Sequence, residues 1–461
     1  MKWVNNRFLA STYAICLIGL VLVGCTSKED PSEVLPLCNG HSCGDLVMVT
    51  TDTSSDGFHY LDPVLSPDGS RIAFTADWWS VPSDPNLTED RPYTSNRQLV
   101  VIPVQAGIAP MDNLAEQGGV LIRLSVISLS FGGIPQDLSS ILDDDKGDPL
   151  WADDHTLIFW LTTPRGNRLF RADISNLPTA PECLYLEPSD AAPSPTFWQH
   201  MAPALSPDGE WLVFIRSGCA NPGDETTCTG QQLWALQMST AGVPPADPVA
   251  FPLTSEVSRI EQPSWHPRGH RIVFSAGLDM SGGAGSGTEL FTVDFDTVGL
   301  ADYVAGNADM PLNNGLARLT FTEYQSGDPI TGILNTSPVY SSSGNRIYFI
   351  STRRAPSVTL HDRNVWEIPA GGALDPEIVF FSREDDVDVG LSMTGNLMVF
   401  SSMMGFPNEM LDRLEEESYQ RLQYENPDWS EVELRDRAKS ERRQLEFFQG
   451  VMSHLFLFSG W

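Results

Sequence analysis

Pro203-Ala-Leu-Ser-Pro-Asp-Gly209-Glu-Trp-Leu-Val-Phe214 is the stretch whose reading decides the fold. A short apolar strand runs into Ser-Pro-Asp-Gly, and a second apolar strand leaves it and ends in phenylalanine. Proline fixes φ in such a turn, and glycine takes the position that needs a positive φ. β-Branched and aromatic residues after the turn suit a pleated, buried surface. The unit is therefore a β-hairpin.

The hairpin recurs along the chain, and a repeat of this period is the signature of a modular fold. It appears as Pro63-Val-Leu-Ser-Pro-Asp-Gly69-Ser-Arg-Ile-Ala-Phe74, as Pro263-Ser-Trp-His-Pro-Arg-Gly269-His-Arg-Ile-Val-Phe274, and as Pro338-Val-Tyr-Ser-Ser-Ser-Gly344-Asn-Arg-Ile-Tyr-Phe349. Two degenerate copies complete the set. Pro149-Leu-Trp-Ala-Asp-Asp154-His-Thr-Leu-Ile-Phe159 is one residue shorter, and Val389-Gly-Leu-Ser-Met-Thr-Gly395-Asn-Leu-Met-Val-Phe400 lacks the proline.

A third strand is expected after each hairpin, beginning at Gln98, Arg168, Gln232, Glu289, Asn364 and His454. Fourth strands follow near Val120, Cys183, Val249, Leu316 and Glu377. The sixth is found at the other end, as Leu46-Val-Met-Val-Thr50. The expectation is an all-β, six-bladed β-propeller over residues 45–461, closed by an N-terminal strand that removes free sheet edges.

Ser-Pro-Asp-Gly with Ile-x-Phe, together with Leu316-Ala-Arg-Leu-Thr320 as a fourth strand, resembles the PD40 repeats of TolB-like propellers. The resemblance covers almost the whole chain after residue 45 and implies a propeller. It leaves the activity open, because this fold hosts many functions. Residues 25–44 read as a polar linker, with no α/β domain before the propeller of the sort TolB carries.

The first 24 residues read as a lipoprotein signal peptide. Lys2 and Arg7 precede an apolar core from Ala14 to Val23, too short to span a bilayer. It ends in Leu22-Val23-Gly24-Cys25, which resembles a lipobox, so Cys25 is the expected lipidation site. The mature chain is then tethered to a membrane by lipid, in the cell envelope, with Thr26 resembling the outer-membrane sorting pattern. That membrane is expected to face the periplasm or the cell surface.

The chain has 60 Asp and Glu against 28 Lys and Arg, a net charge of −32. Nothing in that balance neutralises phosphates, so nucleic acid is excluded as a partner. Cys219 and Cys228 bracket a polar loop, and Cys38 and Cys43 a small ring in the linker. Both pairs are possible disulfides in an oxidising compartment. No cysteine has the paired spacing of a zinc site, and neither metal nor cofactor is expected. Asp143-Asp-Asp-Lys-Gly-Asp148 offers oxygen ligands but lacks the spacing of an EF-hand.

Candidate binding residues fall on the loops between second and third strands, which share a face with the blade-to-blade connections. Trp78 and Trp79 are an aromatic pair suited to an interface or to sugar rings. Arg353 and Arg354 are candidates for a carboxylate. The last blade carries a helical insertion over 407–450. Met410, Leu414, Tyr419 and Leu422 fall at near-helical spacing there, and Ser430 is placed to cap a second helix reaching about Phe448.

No G-x-S-x-G motif occurs, no residues remain for a hydrolase domain, and His266 and His270 flank a turn. The chain is accordingly expected to be no enzyme but a monomeric scaffold engaging an envelope protein or peptide. The alternative is a glycan-binding or glycan-cleaving propeller using the same face, with His59, His200 and Asp62 near the blade entrances.

Overall fold

Each hairpin of the repeat forms the first two strands of a four-stranded antiparallel sheet, and the chain folds as an all-β propeller. The computed structural model describes strands, tight turns and part of the insertion between residues 37 and 459. Residues 1–36, 51–57, 80–94, 105–119, 122–128, 137–145, 176–182, 186–196, 220–227, 240–248, 282–286, 322–332, 354–362, 381–390, 403–414 and a few shorter stretches lie outside the described residues.

Blade 1 comprises Phe58–Leu65, Arg71–Trp79, Ser95–Pro103 and Val120–Leu121 in spatial order. Blade 2 comprises Lys146–Asp153, Thr156–Thr163, Gly166–Asp173 and Cys183–Tyr185. Blade 3 is Phe197–Leu205, Trp211–Cys219, Cys228–Gln237 and Ala250–Pro252. Blade 4 is Ile260–Trp265, Arg271–Gly277, Thr288–Asp294 and Ala317–Arg318, and blade 5 is Asn335–Tyr340, Arg346–Ser351, Asn364–Pro369 and Glu377–Phe380. The remaining sheet, blade 6, joins Leu391–Thr394, Leu397–Ser402 and His454–Ser459 to Leu46–Met48, in the register Phe456↔Met48, Leu457↔Val47 and Phe458↔Leu46. The first strands stand side by side around an axis, each against the next blade.

The turns explain the repeat residue by residue. In blade 1 the Ser66 hydroxyl donates to Asp68 Oδ1 at 2.6 Å and accepts the Arg71 N–H at 3.0 Å. Asp68 Oδ1 in turn accepts the Ser70 N–H at 3.0 Å. Blade 3 repeats the pattern through Ser206, Asp208, Glu210 and Trp211. Gly69, Gly209, Gly269 and Gly344 hold φ of 69°, 73°, 74° and 73°, the left-handed conformation that costs glycine little.

Packing between blades supplies the core. Each second strand runs on beyond the phenylalanine of the repeat, and that residue (Phe74, Phe159, Phe214, Phe274, Phe349, Phe400) is at most 3% exposed. Burying such a side chain stabilises the fold by roughly 1.5–3 kcal/mol. Side chains two residues after the strand proline reach into the preceding blade. Trp151 Nε1 donates to the Val64 carbonyl at 3.1 Å, and Trp265 Nε1 to the Ala204 carbonyl at 2.9 Å. At the junction of blades 6 and 1, Leu65 N–H donates to Ser392 Oγ and Ser401 Oγ to the Tyr60 carbonyl.

An α-helix, Glu431–Phe448, lies between the second and third strands of blade 6. Ser430 caps it with a reciprocal box: Ser430 Oγ accepts the Glu433 N–H, and Glu433 Oε2 accepts the Ser430 N–H at 2.9 Å. Leu422, Leu434 and Ala438 are buried together, with Tyr419 packed against them, so this segment carries a small core of its own.

Candidate functional site

Every first strand from blade 1 to blade 5 contains a residue followed by proline, and at that dipeptide the pairing with the second strand slips. Proline has no N–H to give the ladder, so a bulge is where a strand tolerates it. The residue before it turns left-handed in all five: φ is 51° at Asp62, 48° at Asp148, 48° at Ala202, 40° at Gln262 and 52° at Ser337. A non-glycine residue held there costs on the order of 1–3 kcal/mol. The ring holds this strained position five times, and its effect is to re-aim one side chain per blade.

Those five residues line a single axial pocket of about 360 Å³. Their prolines form a collar with Val64, Leu150 and Val339. Ser392 contributes from blade 6, and Pro207, Pro267, Ser341 and Ser342 carry the lining down to the tight turns. The pocket thus reaches the turn side of the ring, opposite the loops on which the sequence placed its candidates.

Two of the five side chains are carboxyls from adjacent blades. Asp62 is 9% exposed, and its carboxyl is hydrogen-bonded to that of Asp148. Asp148 Oδ2 also accepts the Ala202 N–H of blade 3 at 2.6 Å, so the positions before proline are linked across three blades. Burial pushes the Asp148 carboxyl above the usual range, against the lowering effect of its hydrogen bonds and of the nearby Arg97 guanidinium. Two carboxyls this close titrate as a pair and not independently.

Glycine makes room for this pair. A Cβ on Gly147 would fall 2.4 Å from the Trp160 ring, so the indole lies over bare backbone and donates to Asp148. Beside it Lys146 is fully buried, and its ammonium donates to Gln98 Oε1 of blade 1 at 2.9 Å. Across the pocket the Gln262 amide oxygen is buried and accepts no hydrogen bond among the described residues.

The sequence candidates are dispersed around this centre. Trp78 and Trp79 end the second strand of blade 1, paired with Asn96 and Ser95, and their side chains lie outside the described residues. Arg353 is half-buried, its Nε 3.4 Å from Asn335 Oδ1, and burial lowers its pKa against the opposing charges of Glu289 and Asp375; Arg354 lies outside the described residues. Cys219 and Cys228 face each other as strand partners in blade 3. Cys38 pairs with His41 in a short two-stranded sheet, while Cys25 and Cys43 lie outside the described residues.

His200 is buried edge-on to Phe214, and the side chain of His59 lies outside the described residues. The acidic run 143–148 divides: residues 143–145 are outside the described residues and Asp148 faces the axis. Among the described residues no group of three His, Cys, Asp or Glu is placed to hold a metal ion, and no helix is long and apolar enough to cross a membrane. Asp148, Gln262 and Ser337 were missed as a set. The signal available was positional, the residue before each strand proline.

No protein-family model matches the chain, and no curated protein matches it in sequence. Among solved structures it is similar to TolB from Acinetobacter baumannii, at 14% identity and a TM-score of 0.39, over 75% of this chain and 58% of that one. A puromycin-hydrolyzing peptidase of Mycobacterium tuberculosis gives 11% and 0.43, over 76% and 49%. An oligogalacturonate lyase from Vibrio parahaemolyticus gives 13% and 0.39, over 79% and 76%. The chain therefore spans about half of the peptidase and 58% of that TolB.

The expectation that the chain is no enzyme is corrected by this set. It rested on the absence of an appended hydrolase domain and of a serine motif, yet structures similar in fold include a lyase and a hydrolase. The fold leaves catalysis open. What these likenesses describe is architecture: the chain is a β-propeller similar in fold to TolB.

Proposed function

We propose that this chain is a cell-envelope propeller that receives a segment of a protein or peptide partner in its axial pocket. The pocket itself carries the reading. Residues of all six sheets line it, five of them by way of a strained backbone position that serves no turn. Its volume of about 360 Å³ lies at the small end of the range for ligand sites, roughly 300–1,000 Å³. That space suits a side chain with its flanking peptide units, not a folded surface.

The finer architecture belongs to the same proposal. Six blades are tied by the N-terminal strand, the insertion over 407–450 rises from the last blade, and the mature chain is anchored by lipid on Cys25. The anchor would hold the propeller at the outer membrane, on the periplasmic or cell-surface side. Disulfides Cys219–Cys228 and Cys38–Cys43 would fit that compartment.

A second reading, binding or cleavage of a glycan in the same pocket, is favoured by one observation. Burial raises the pKa of Asp148, the direction a general acid needs. Against it, the two carboxyls touch, whereas glycosidase pairs stand about 5 Å apart or more.

The test is co-purification from crosslinked envelopes with the wild type, with Ser342→Trp, which fills the exposed rim of the pocket, and with a deletion of 407–450. A stoichiometric partner lost in Ser342→Trp and kept in the deletion is the expected result. A partner lost only in the deletion would move the interface to the insertion and overturn the pocket reading.

A further inference from the structure

We propose that the turn-side lip of the axial pocket, on blades 4 and 5, binds a carboxylate of the partner segment, an acidic side chain or a C-terminus, through Arg268, His270 and Ser342. The inference rests on the pocket reading above and names the chemistry of its occupant.

The turn of blade 4 departs from the repeat where the repeat is most constrained. In blades 1 and 3 the third turn residue is Asp68 or Asp208, whose carboxylate accepts a serine hydroxyl and a backbone N–H. Blade 4 has His266-Pro-Arg268-Gly269-His270 in that place. Its backbone closes all the same: the His266 N–H donates to the Arg271 carbonyl at 2.8 Å, and the Gly269 N–H to the His266 carbonyl at 2.7 Å. His266 Nδ1 accepts the Arg268 N–H at 3.1 Å. The turn is thus complete without the Arg268 guanidinium.

That guanidinium is exposed and makes no ion pair or hydrogen bond among the described residues. Arg259, Arg271, Arg318 and Arg346, by contrast, each meet a carboxylate of the chain. The His270 ring lies 4.4 Å from that of His266, centroid to centroid, and its nitrogens make no hydrogen bond among the described residues. Burial, then the charges of His270, Arg268 and Arg271, hold the His266 imidazole below its ordinary range. Positive potential therefore gathers on this turn in a chain of net charge −32.

The lip belongs to the pocket, because Pro267 and Ser342 line it together. The blade 5 turn packs on His266 so closely that Gly344 has no room for a Cβ beside the ring. In that turn Ser341 and Ser343 bond to each other at 3.2 Å and accept the Arg346 and Asn345 N–H groups. The exposed Ser342 hydroxyl is left uncommitted among the described residues. A guanidinium fork and a hydroxyl are the donors a carboxylate accepts from.

The surroundings favour a carboxylate over a more highly charged anion. Pro207 of the blade 3 turn lies next to Gly269, and that turn carries Asp208 and Glu210. Negative charge on this side repels a dianionic phosphate more than a monoanion. The proline collar beyond the lip receives the apolar part of the segment.

The experiment is calorimetric titration of the full chain in detergent with hexanoate, and in parallel with hexanol, n-hexylammonium and inorganic phosphate. Saturable binding of hexanoate alone is expected. Arg268→Asp restores the turn residue of blades 1 and 3 and reverses the charge. It should keep or raise the melting temperature while hexanoate binding falls by roughly tenfold or more, the scale of a charge-assisted hydrogen bond. Arg268→Gln is read in the same way should Arg268→Asp melt lower, and Arg268→Lys should retain part of the affinity.

Equal binding of hexanol, binding of n-hexylammonium or phosphate in place of hexanoate, or an unchanged hexanoate affinity in the folded variants would each overturn the proposal. In crosslinked envelopes the partner should be lost from both Ser342→Trp and Arg268→Asp. A partner lost from Ser342→Trp and kept by Arg268→Asp removes the carboxylate while the pocket reading stands. If hexanoate does not bind and Ser342→Trp keeps the partner, both fall.

Discussion

Asp68 and Asp148 are the same residue type in two repeated parts of the blade, and their environments drive them in opposite directions. Asp68 sits in a tight turn, where hydrogen bonds from Ser66 and Ser70 lower its pKa to about 2. Asp148 sits in an axial bulge, where burial raises its pKa. In the turn the side chain repeats because it builds the backbone. In the bulge the backbone repeats while the side chain changes from Asp to Asp, Ala, Gln and Ser around the ring. The difference separates what makes the propeller from what makes its site specific.

That separation can be broken most forcefully at the core. Phe274→Ala removes a fully buried ring at the end of the repeat and should cost about 3–5 kcal/mol in urea unfolding. A loss below ~1 kcal/mol would mean that blade packing does not depend on the repeated phenylalanine.

Next in size are the turn glycines. Gly209 and Gly344 share a φ of 73°, but a Cβ on Gly209 meets nothing within 4 Å, whereas one on Gly344 would stand 2.4 Å from His266 Nε2. Gly209→Ala should cost roughly 1–2 kcal/mol for left-handed strain alone. Gly344→Ala should cost visibly more, because the His266 ring, packed between His270 and Tyr340, must move. Equal losses in chemical denaturation would remove the steric difference between the two turns.

The smallest effect is the most diagnostic, the pH dependence of thermal stability in Asp148→Asn and Asp68→Asn. A folded pKa raised above the unfolded value gives stability that is present below the unfolded pKa and is lost as pH rises through the folded one. Asp148→Asn should therefore gain on the wild type as pH climbs above about 4. Asp68 has the opposite sign: its contribution is present above about 4 and is lost as pH falls through about 2. Asp68→Asn should accordingly lose to the wild type at neutral pH and converge with it in acid. Parallel profiles for the two variants would contradict the assigned environments.

Most of the fold was legible because a hairpin is local. The serine, aspartate and glycine of the turn act within five residues, and the phenylalanine follows at a fixed distance. The third and fourth strands, and the pairing of Leu46–Met48 with His454–Ser459, were read from the arithmetic of the repeat.

The site was far less legible. Asp62 and Asp148 stand 86 positions apart in the chain, and only ring geometry brings them together. Asp148 closes an acidic run that suggested oxygen ligands, and nothing local says that its φ turns left-handed or that Trp160 lies over Gly147. The proline after each of these residues was recorded as part of the repeat, yet its consequence, a bulge aiming the preceding side chain at the axis, is a property of the sheet. Loop composition pointed to the opposite face because unusual residues are conspicuous there, whereas a pocket built from a repeated backbone position is not.

The most direct test of the pocket as the partner's site is photocrosslinking in intact envelopes, with a benzophenone amino acid placed at position 342 or at position 424. Ser342 is exposed at the pocket rim, and Tyr424, on the insertion, is 90% exposed. A discrete adduct from position 342 and none from 424 is the expected result. An adduct from 424 with none from 342 would contradict it and place the partner on the insertion.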